Sequence, residues 1–402
     1  MAATSLSPTR RSSQPCGQVP VGGRPGRLDG VDAVRGLAIV FMALDHVRAY
    51  LSVAHFDPSD LDQTTPALFL TRWLTHFCAP AFVLLAGAGA WLGGQRRTCG
   101  QLSHFLLWRG LWLLLLEFTV ISLGWYFNVT WEMGAIAQVI WAIGVAMMVL
   151  AGLVRLPIRW VAMIGVALVA GHNLLDGLTP ESFGPFGAVW ALLHVSGPLA
   201  GVPVLVVYPV LPWIGVIAVG FALGPLLNAG TAEARQRLRQ LGLGAVAGFL
   251  VLRALDGYGD PSPWAPQATP GLTVLSFLRV TKYPPSLAYL LMTLGPVLLL
   301  LSLRYPRGWR VAEWCRTLGR APLFFYVAHI YLVHALALGV GVLQGHAAGD
   351  LARLYLFFPA TYGVKLPAVY LAWGLVLLAL YPATRWFGER KRAGRAWWWS
   401  YL

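Results

Sequence analysis

Stretch after stretch of about 20 mostly apolar residues runs through this chain, each long enough for a helix to cross the ~30 Å hydrocarbon core of a bilayer. Ten such windows are predicted, approximately at residues 33–53, 68–92, 104–124, 132–153, 158–178, 203–224, 240–256, 286–303, 322–342 and 366–386. Inside a bilayer every backbone N–H and C=O must find a partner within the chain. The predicted fold is therefore all-α, a polytopic bundle of about ten transmembrane helices. Composition supports this, since 57% of the 402 residues are hydrophobic and only 11% charged, against roughly 25% charged in soluble domains. The patch from Trp190 to Leu199 is too short and too broken by Gly and Pro to span, and is expected to be re-entrant or interfacial. Trp397, Trp398, Trp399 and Tyr401 suit an interfacial anchor.

Basic residues orient the bundle. Arg10, Arg11, Arg24 and Arg27 precede the first window; Arg96 and Arg97 follow the second, Arg155 and Arg159 the fourth, Arg235, Arg237 and Arg239 the sixth, and Arg304 and Arg310 the eighth. Arg385, Arg390, Lys391, Arg392 and Arg395 close the chain. All fall on one side of a ten-span bundle, so that side, with both termini, is predicted to be cytoplasmic. The opposite loops carry Asp57, Asp60, Asp62, Asp176, Glu181, Asp256, Asp260 and Asp350 with few cations. The net charge of +14 thus reports topology and contact with anionic lipid, making the bilayer the expected partner and excluding nucleic acid. Residues 1–28, rich in Ser, Pro, Gly and Arg with no signal-peptide core, are expected to be a disordered cytoplasmic tail, and 29–402 one transmembrane domain. Cys16, Cys99 and Cys315 map to the inside and Cys78 to a window, so no disulfide framework is expected. There is no CxxC or HxxxH pair on one helix, no phosphate-cradling glycine loop and no evident internal repeat. No metal is predicted.

Against this apolar background the ionisable residues stand out. Arg35 and His46 both lie in the first window, and their offset of eleven brings them within ~20° of one helix face, about 16 Å apart along the axis. A charge in a bilayer costs ~2.5 to 3.5 kcal/mol on insertion scales, so two on one face suggest a functional pathway. The plainer readings are that Arg35 snorkels to the interface and His46 is a satisfied bundle histidine. Asp32 lies one turn from Arg35, and Gly36 and Ala38 permit close helix approach. Asp45, His46 and Arg48 crowd three ionisable groups into one turn. The following loop carries His55, Asp57 and Asp60, suited either to a polar acceptor or to a solvated turn. Arg72 and His76 then share a face at i,i+4, above a disruptive Pro80. Farther on, two prolines at 209 and 212 suggest a kink or a wall of the site, and Lys282-Tyr283-Pro284-Pro285 places a lysine on the outer side, either as an anion contact or beside ordinary proline capping. Among Tyr326, His329, Tyr331 and His334, His329 is the one selected as a site residue, the rest reading as packing.

This pattern resembles the family typified by heparan-alpha-glucosaminide N-acetyltransferase, particularly its bacterial relatives. The resemblance rests on Asp32, Arg35-Gly36, Met42, Asp45-His46, Arg48, Asp57-Pro58, Asp60-Leu61, Thr71-Arg72-Trp73 and Thr75-His76-Phe77-Cys78-Ala79-Pro80. It continues through Tyr208-Pro209, Pro212-Trp213, Lys282 to Leu287 and Gly319-Arg320-Ala321-Pro322. The Arg35 and His46 spacing is also similar to the arginine–histidine motif of the acyltransferase type 3 family. The resemblance implies a multi-pass protein of the plasma (inner) membrane, a transacylase that takes an acyl group, acetyl by analogy, from cytoplasmic acyl-CoA (acetyl-CoA). It passes that group to an extracytoplasmic acceptor, a sugar or glycan amine or hydroxyl. His46 would be general base or acyl carrier, Asp45 would orient it, and Arg35 would meet the CoA phosphates or polarise the thioester. Arg72 and His76 would stabilise developing charge or bind acceptor, with Asp57, Asp60, Lys282, Tyr283 and His329 as further acceptor contacts. One departure matters: the lysosomal enzyme's histidine lies in the first luminal loop, where His55 is the positional counterpart, and its Asn and Gly surroundings are absent here. His46, His55 and His76 therefore stand as rival reacting groups. A secondary transporter or flippase with an Arg/His/Asp relay is the alternative function, and a homo-oligomer is compatible with the sequence.

The topology is directly testable. Alkaline phosphatase fused after residue 60 is expected to be active and the same enzyme fused after residue 236 inactive; the reverse result would invert or break the ten-span arrangement.

Overall fold

The computed structural model of the protein describes residues 29–128, 134–306 and 308–394. The expected tail at 1–28 and the aromatic anchor from Trp397 to Tyr401 lie outside the described residues. Four helices open the fold: α1 (Asp29–Leu51), α2 (Pro66–Thr75), α3 (Cys78–Gly94) and α4 (Cys99–Leu116). A π-turn at Glu117–Ile121 leads into α5 (Ser122–Tyr126), followed by β1 (Ala135–Ala137), α6 (Val139–Leu153), α7 (Ile158–Gly171) and α8 (Gly187–His194). Then come β2 (Gly197–Pro198), β3 (Val204–Val206), α9 (Leu211–Ala229), α10 (Ala232–Leu255), α11 (Pro270–Leu278) and α12 (Leu287–Ser302). The chain ends through α13 (Arg310–Gly319), α14 (Pro322–Leu343), α15 (Ala348–Leu351) and α16 (Leu366–Ala393). The three strands form one small sheet with β3 central, parallel to β1 and antiparallel to β2. Cys78 and Cys315 are free and buried, whereas Cys99 is disulfide-bonded, a bridge that its expected cytoplasmic position did not suggest.

Among the described residues, seven helical segments are long and apolar enough to cross a membrane: Pro66–Gly94, Cys99–Tyr126, Ile158–Leu175, Leu211–Ala229, Ala232–Leu255, Pro322–Leu343 and Leu366–Ala393. The protein is thus integral to a membrane and mostly helical. α6 and α12 are apolar but shorter, and α1 carries Asp32, Arg35, Asp45 and Arg48 along its length. Every predicted window falls on a helix, with three differences. The window at 203–224 begins as strand β3, and α9 starts only at Leu211, with Pro212 in its first turn where a missing N–H costs nothing. The window at 132–153 likewise begins at β1 rather than in α6. The window at 68–92 is broken between α2 and α3 at His76 and Phe77. Pro80 accounts for that break, because it cannot donate to the carbonyl of residue 76; the Tyr289 hydroxyl donates to that oxygen instead, at 2.8 Å.

α1 lies at the centre, packed against α2, α3, α12, α13, α14 and α16. A helix surrounded by protein can hold polar side chains that lipid would reject, which is how α1 tolerates its charges. Its closest neighbour is α13. A Cβ on Gly36 would collide with the Cys315 carbonyl, and one on Gly319 with the Asp32 carbonyl, so only glycine at both positions lets these backbones meet.

Gly36→Leu is expected to wedge α1 from α13 at a cost of roughly 1–3 kcal/mol or more. It should read as a lower thermal midpoint of the detergent-solubilised protein. Gly339→Ala, on α14 where nothing lies within 4 Å of the added methyl, is expected to leave that midpoint unchanged or slightly raised.

Candidate active site

Two polar centres are strung along α1. Near its start, the Arg35 guanidinium donates to the Asp32 carboxylate at 3.2 Å and to the Gly319 carbonyl at 3.3 Å. Arg35 also lines a cavity of about 370 Å³ together with Arg97, Arg109, Arg320 and Lys391. Five cations therefore border a space whose walls are otherwise largely apolar, among them Phe82, Leu85, Ile140 and Met147. Met42 and Tyr326 line the same cavity; Met42 is one turn before His46 on α1.

The second centre is built on Asp45 and His46. Both Asp45 oxygens accept from one Arg72 amino group, at 2.8 and 2.6 Å, and Arg48 donates to Oδ1 at 3.0 Å. Asp45 is thus spent on two guanidiniums and makes no hydrogen bond to His46. The expected orienting role falls instead to His329, whose Nε2 lies 2.7 Å from His46 Nδ1. The tautomers follow from a third atom. His329 Nδ1 is 3.0 Å from the Phe325 carbonyl, and a carbonyl can only accept, so in the neutral pair His329 carries its proton on Nδ1. Its Nε2 is then an acceptor, His46 must donate from Nδ1, and the lone pair of the neutral His46 ring is on Nε2. Trp125 and Tyr326 wall that ring, with centroids 5.0 and 6.1 Å away. The Tyr326 hydroxyl, like the Trp125 indole N–H, is buried and makes no hydrogen bond of good geometry among the described residues.

The remaining predicted residues separate into two groups. Lys282 and Tyr283 lie near the second centre: Lys282 is buried and close enough to act electrostatically on Asp45, His46 and His76, and its Nζ sits 5.2 Å from the centre of the Tyr283 ring. His76 is buried on the same side, its ring 5.5 Å from that of Tyr289 and its Nδ1 unpaired. By contrast, His55 Nε2 faces the Tyr362 carbonyl at 2.9 Å, a tether between loops. Asp57 accepts from the backbone N–H and hydroxyl of Ser59, and Asp60 from Asp62 N–H and Gln63. Burial would raise the Asp57 pKa; the Ser59 bonds, with Arg72 nearby, outweigh it and hold the carboxyl below its usual value.

Sequence reasoning missed Glu117. This buried carboxylate accepts from the Trp141 N–H at 3.0 Å, satisfying a donor in the first turn of α6. It lies at the π-turn that leads to Trp125, so it helps set the wall of the His46 pocket. A lone carboxylate in an apolar window was the available signal. His334 is also buried, with ring nitrogens facing the carbonyls of Gly124 and Leu351 at 2.9 and 2.7 Å; it is a structural tie.

A family model described as "Heparan-alpha-glucosaminide N-acetyltransferase, catalytic" matches residues 27–254. No curated protein matches the chain. The matched region holds Arg35, Asp45, His46 and Arg72, while Lys282 and His329 come from beyond it.

Removing Asp45 would leave the buried Arg48 and the part-buried Arg72 without their counter-charge, a loss of up to about 3–5 kcal/mol by analogy with fully buried pairs. Asp45→Ala is expected to lower the thermal midpoint sharply, and Asp45→Ala with Arg72→Met to recover part of it. An Asp45→Ala protein as stable as the parent would show that the ion pairs carry no net stability.

Proposed function

This chain belongs to the heparan-alpha-glucosaminide N-acetyltransferase catalytic family, and from that premise we propose that its reacting group is His46. The donor would be acyl-CoA, acetyl-CoA in the first instance, taken from the arginine-rich side. The acceptor would be a sugar amine or hydroxyl on the opposite side of the membrane. One observation carries the reading: a single cavity joins five cations to Tyr326, the residue whose ring flanks His46. Cations suit the phosphates of a CoA molecule, apolar walls suit its pantetheine arm, and the His46 ring lies against Tyr326 and one turn beyond Met42, both on the cavity wall.

His46 has the tautomer that this chemistry needs. Its Nε2 lone pair can attack the thioester carbonyl, forming a C–N bond as the C–S bond breaks and the thiolate departs. The acceptor nitrogen or oxygen then bonds to the acyl carbon as the C–N bond to Nε2 breaks; the acceptor's proton passes to the freed Nε2 and from there to water, and His46 returns to the starting state. In the single-step version the acceptor attacks the thioester directly and Nε2 takes its proton. Both versions require His46 Nδ1–H to be held, which is the part played by His329. Arg35, more than two turns away on α1, belongs to donor binding on this reading, and ten membrane spans with cytoplasmic termini give the donor and acceptor their opposite sides.

With labelled acetyl-CoA and purified full-length protein, His46→Ala is expected to lower turnover by about 10² or more, at unchanged folded yield. His329→Ala should lower turnover through loss of the held tautomer, while His55→Ala should act chiefly on stability. Arg35→Lys and Arg35→Ala should weaken donor binding, because Lys lacks the planar fork. A folded His46→Ala protein with parental turnover would overturn the reading, and a dead His55→Ala beside it would move the chemistry into the loop. Exchange of label between CoA and acetyl-CoA without acceptor would select the two-step version.

A further inference from the structure

Three aromatic rings close on His46. His329 stacks on it, with ring centroids 4.9 Å apart, while Trp125 and Tyr326 stand edge-on at 5.0 and 6.1 Å. Of these three, Tyr326 is the one among the described residues that line the cation-bordered cavity. It sits on α14 one turn before His329, and the two rings are 5.5 Å apart. Both nitrogens of His329 are occupied, one by His46 and the other by the Phe325 carbonyl. Tyr326 has no such assignment.

Only 4% of Tyr326 is exposed, yet its hydroxyl finds no hydrogen bond of good geometry among the described residues. The Trp125 indole N–H comes close to that oxygen without closing a bond, and it too is buried and unpaired. Glu117, which acts on Tyr326 electrostatically, already accepts from the Trp141 N–H. Leaving a buried donor unmade is costly, and a phenylalanine would fill the same volume without that cost. An unpaired O–H on the cavity wall therefore stands beside the ring that carries the free Nε2 lone pair. The nearby cations do not substitute for it. Arg48 and Arg72 are bonded to Asp45, Lys282 is not among the residues lining this cavity, and Arg35 is about 16 Å from His46 along the α1 axis.

We propose that Tyr326 is a catalytic residue: its hydroxyl donates a hydrogen bond to the carbonyl oxygen of the acyl-CoA thioester and holds the negative charge that builds there during transfer. This rests on the acyltransferase reading and adds a residue to it. When His46 Nε2, or the acceptor directly, bonds to the carbonyl carbon, the second electron pair of the C=O bond moves onto oxygen. It returns as the C–S bond breaks and that bond's electrons leave with the sulfur. The phenol proton stays on Tyr326 throughout, so the group acts as a donor to the oxyanion and not as an acid. A donor fixed in a largely apolar pocket stabilises such charge without having to reorganise at the moment of reaction.

The test is Tyr326→Phe in purified full-length protein, which removes the hydroxyl and keeps the ring. With labelled acetyl-CoA as donor and glucosamine as acceptor, kcat is expected to fall by about 10² or more, with KM for acetyl-CoA little changed. The thermal midpoint should stay level or rise, because the variant no longer buries an unpaired donor. Parental kcat in Tyr326→Phe would overturn the proposal, and a dead His46→Ala beside it would leave the acyltransferase reading standing. A lowered midpoint with lost folded yield would also overturn it, marking the hydroxyl as structural. Infrared difference spectra with acetyl-CoA isotopically labelled at the carbonyl carbon give a readout independent of turnover. The bound carbonyl band is expected at lower frequency in the parent than in Tyr326→Phe. That difference without any acetyl transfer would sustain the Tyr326 contact while the acyltransferase reading fails. Equal band positions, or no binding of acetyl-CoA at all, would sink the proposal.

Discussion

The site depends on a half-buried carboxylate held between two guanidiniums. Asp45, Arg48 and Arg72 are drawn together in the middle of a protein whose other interior groups are mostly apolar, and in such surroundings an ion is tolerated only when paired and hydrogen-bonded. Arg72 joins the start of the second window to α1, while Arg48 reaches back one turn along α1 itself. With both cations committed to Asp45, the adjacent His46 is left to seek its partner elsewhere. It finds His329 on α14, a helix more than 280 residues away in sequence.

That division of labour could not be read from residue spacing. The periodicity of α1 places Arg35 and His46 on one face; in the structure Arg35 and Met42 line the cation-bordered cavity, and His46 lies one turn beyond Met42. Yet adjacency in sequence suggested that Asp45 orients His46, when adjacent helical residues point 100° apart and do not face each other. Long-range partners decide such contacts. His329 was visible as a candidate only because a histidine in an apolar helix is expensive, and nothing in the chain said which histidine it would meet.

The apolar windows were legible because a bilayer imposes one length and one composition on every crossing helix. Their ends were less so. β1 and β3 interrupt two windows with residues as apolar as those of the helices, since Ala, Ile, Val and Leu serve a buried strand and a buried helix equally well. The five-cation cavity was legible only in part. Arg97 and Lys391 were each assigned to the basic side and Arg35 to the CoA phosphates, but their convergence with Arg109 and Arg320 on one space is a product of how α1, α3, α4, α6, α14 and α16 pack. Asp57 and Asp60 point the other way: acidic loop residues that looked suited to a sugar are occupied in capping their own turn, which is the ordinary use of Asp in a loop.

A cation-bordered cavity on one side of the His46–His329 pair would give the proposed transfer a direction. On this reading the bond that breaks in the donor leaves a thiolate, and the nearest stabilising charges for an anion at that end are those around Arg35, on the side from which CoA came. The product CoA would therefore leave by the face from which it came. On this reading only the acyl group would need to pass the His46–His329 pair.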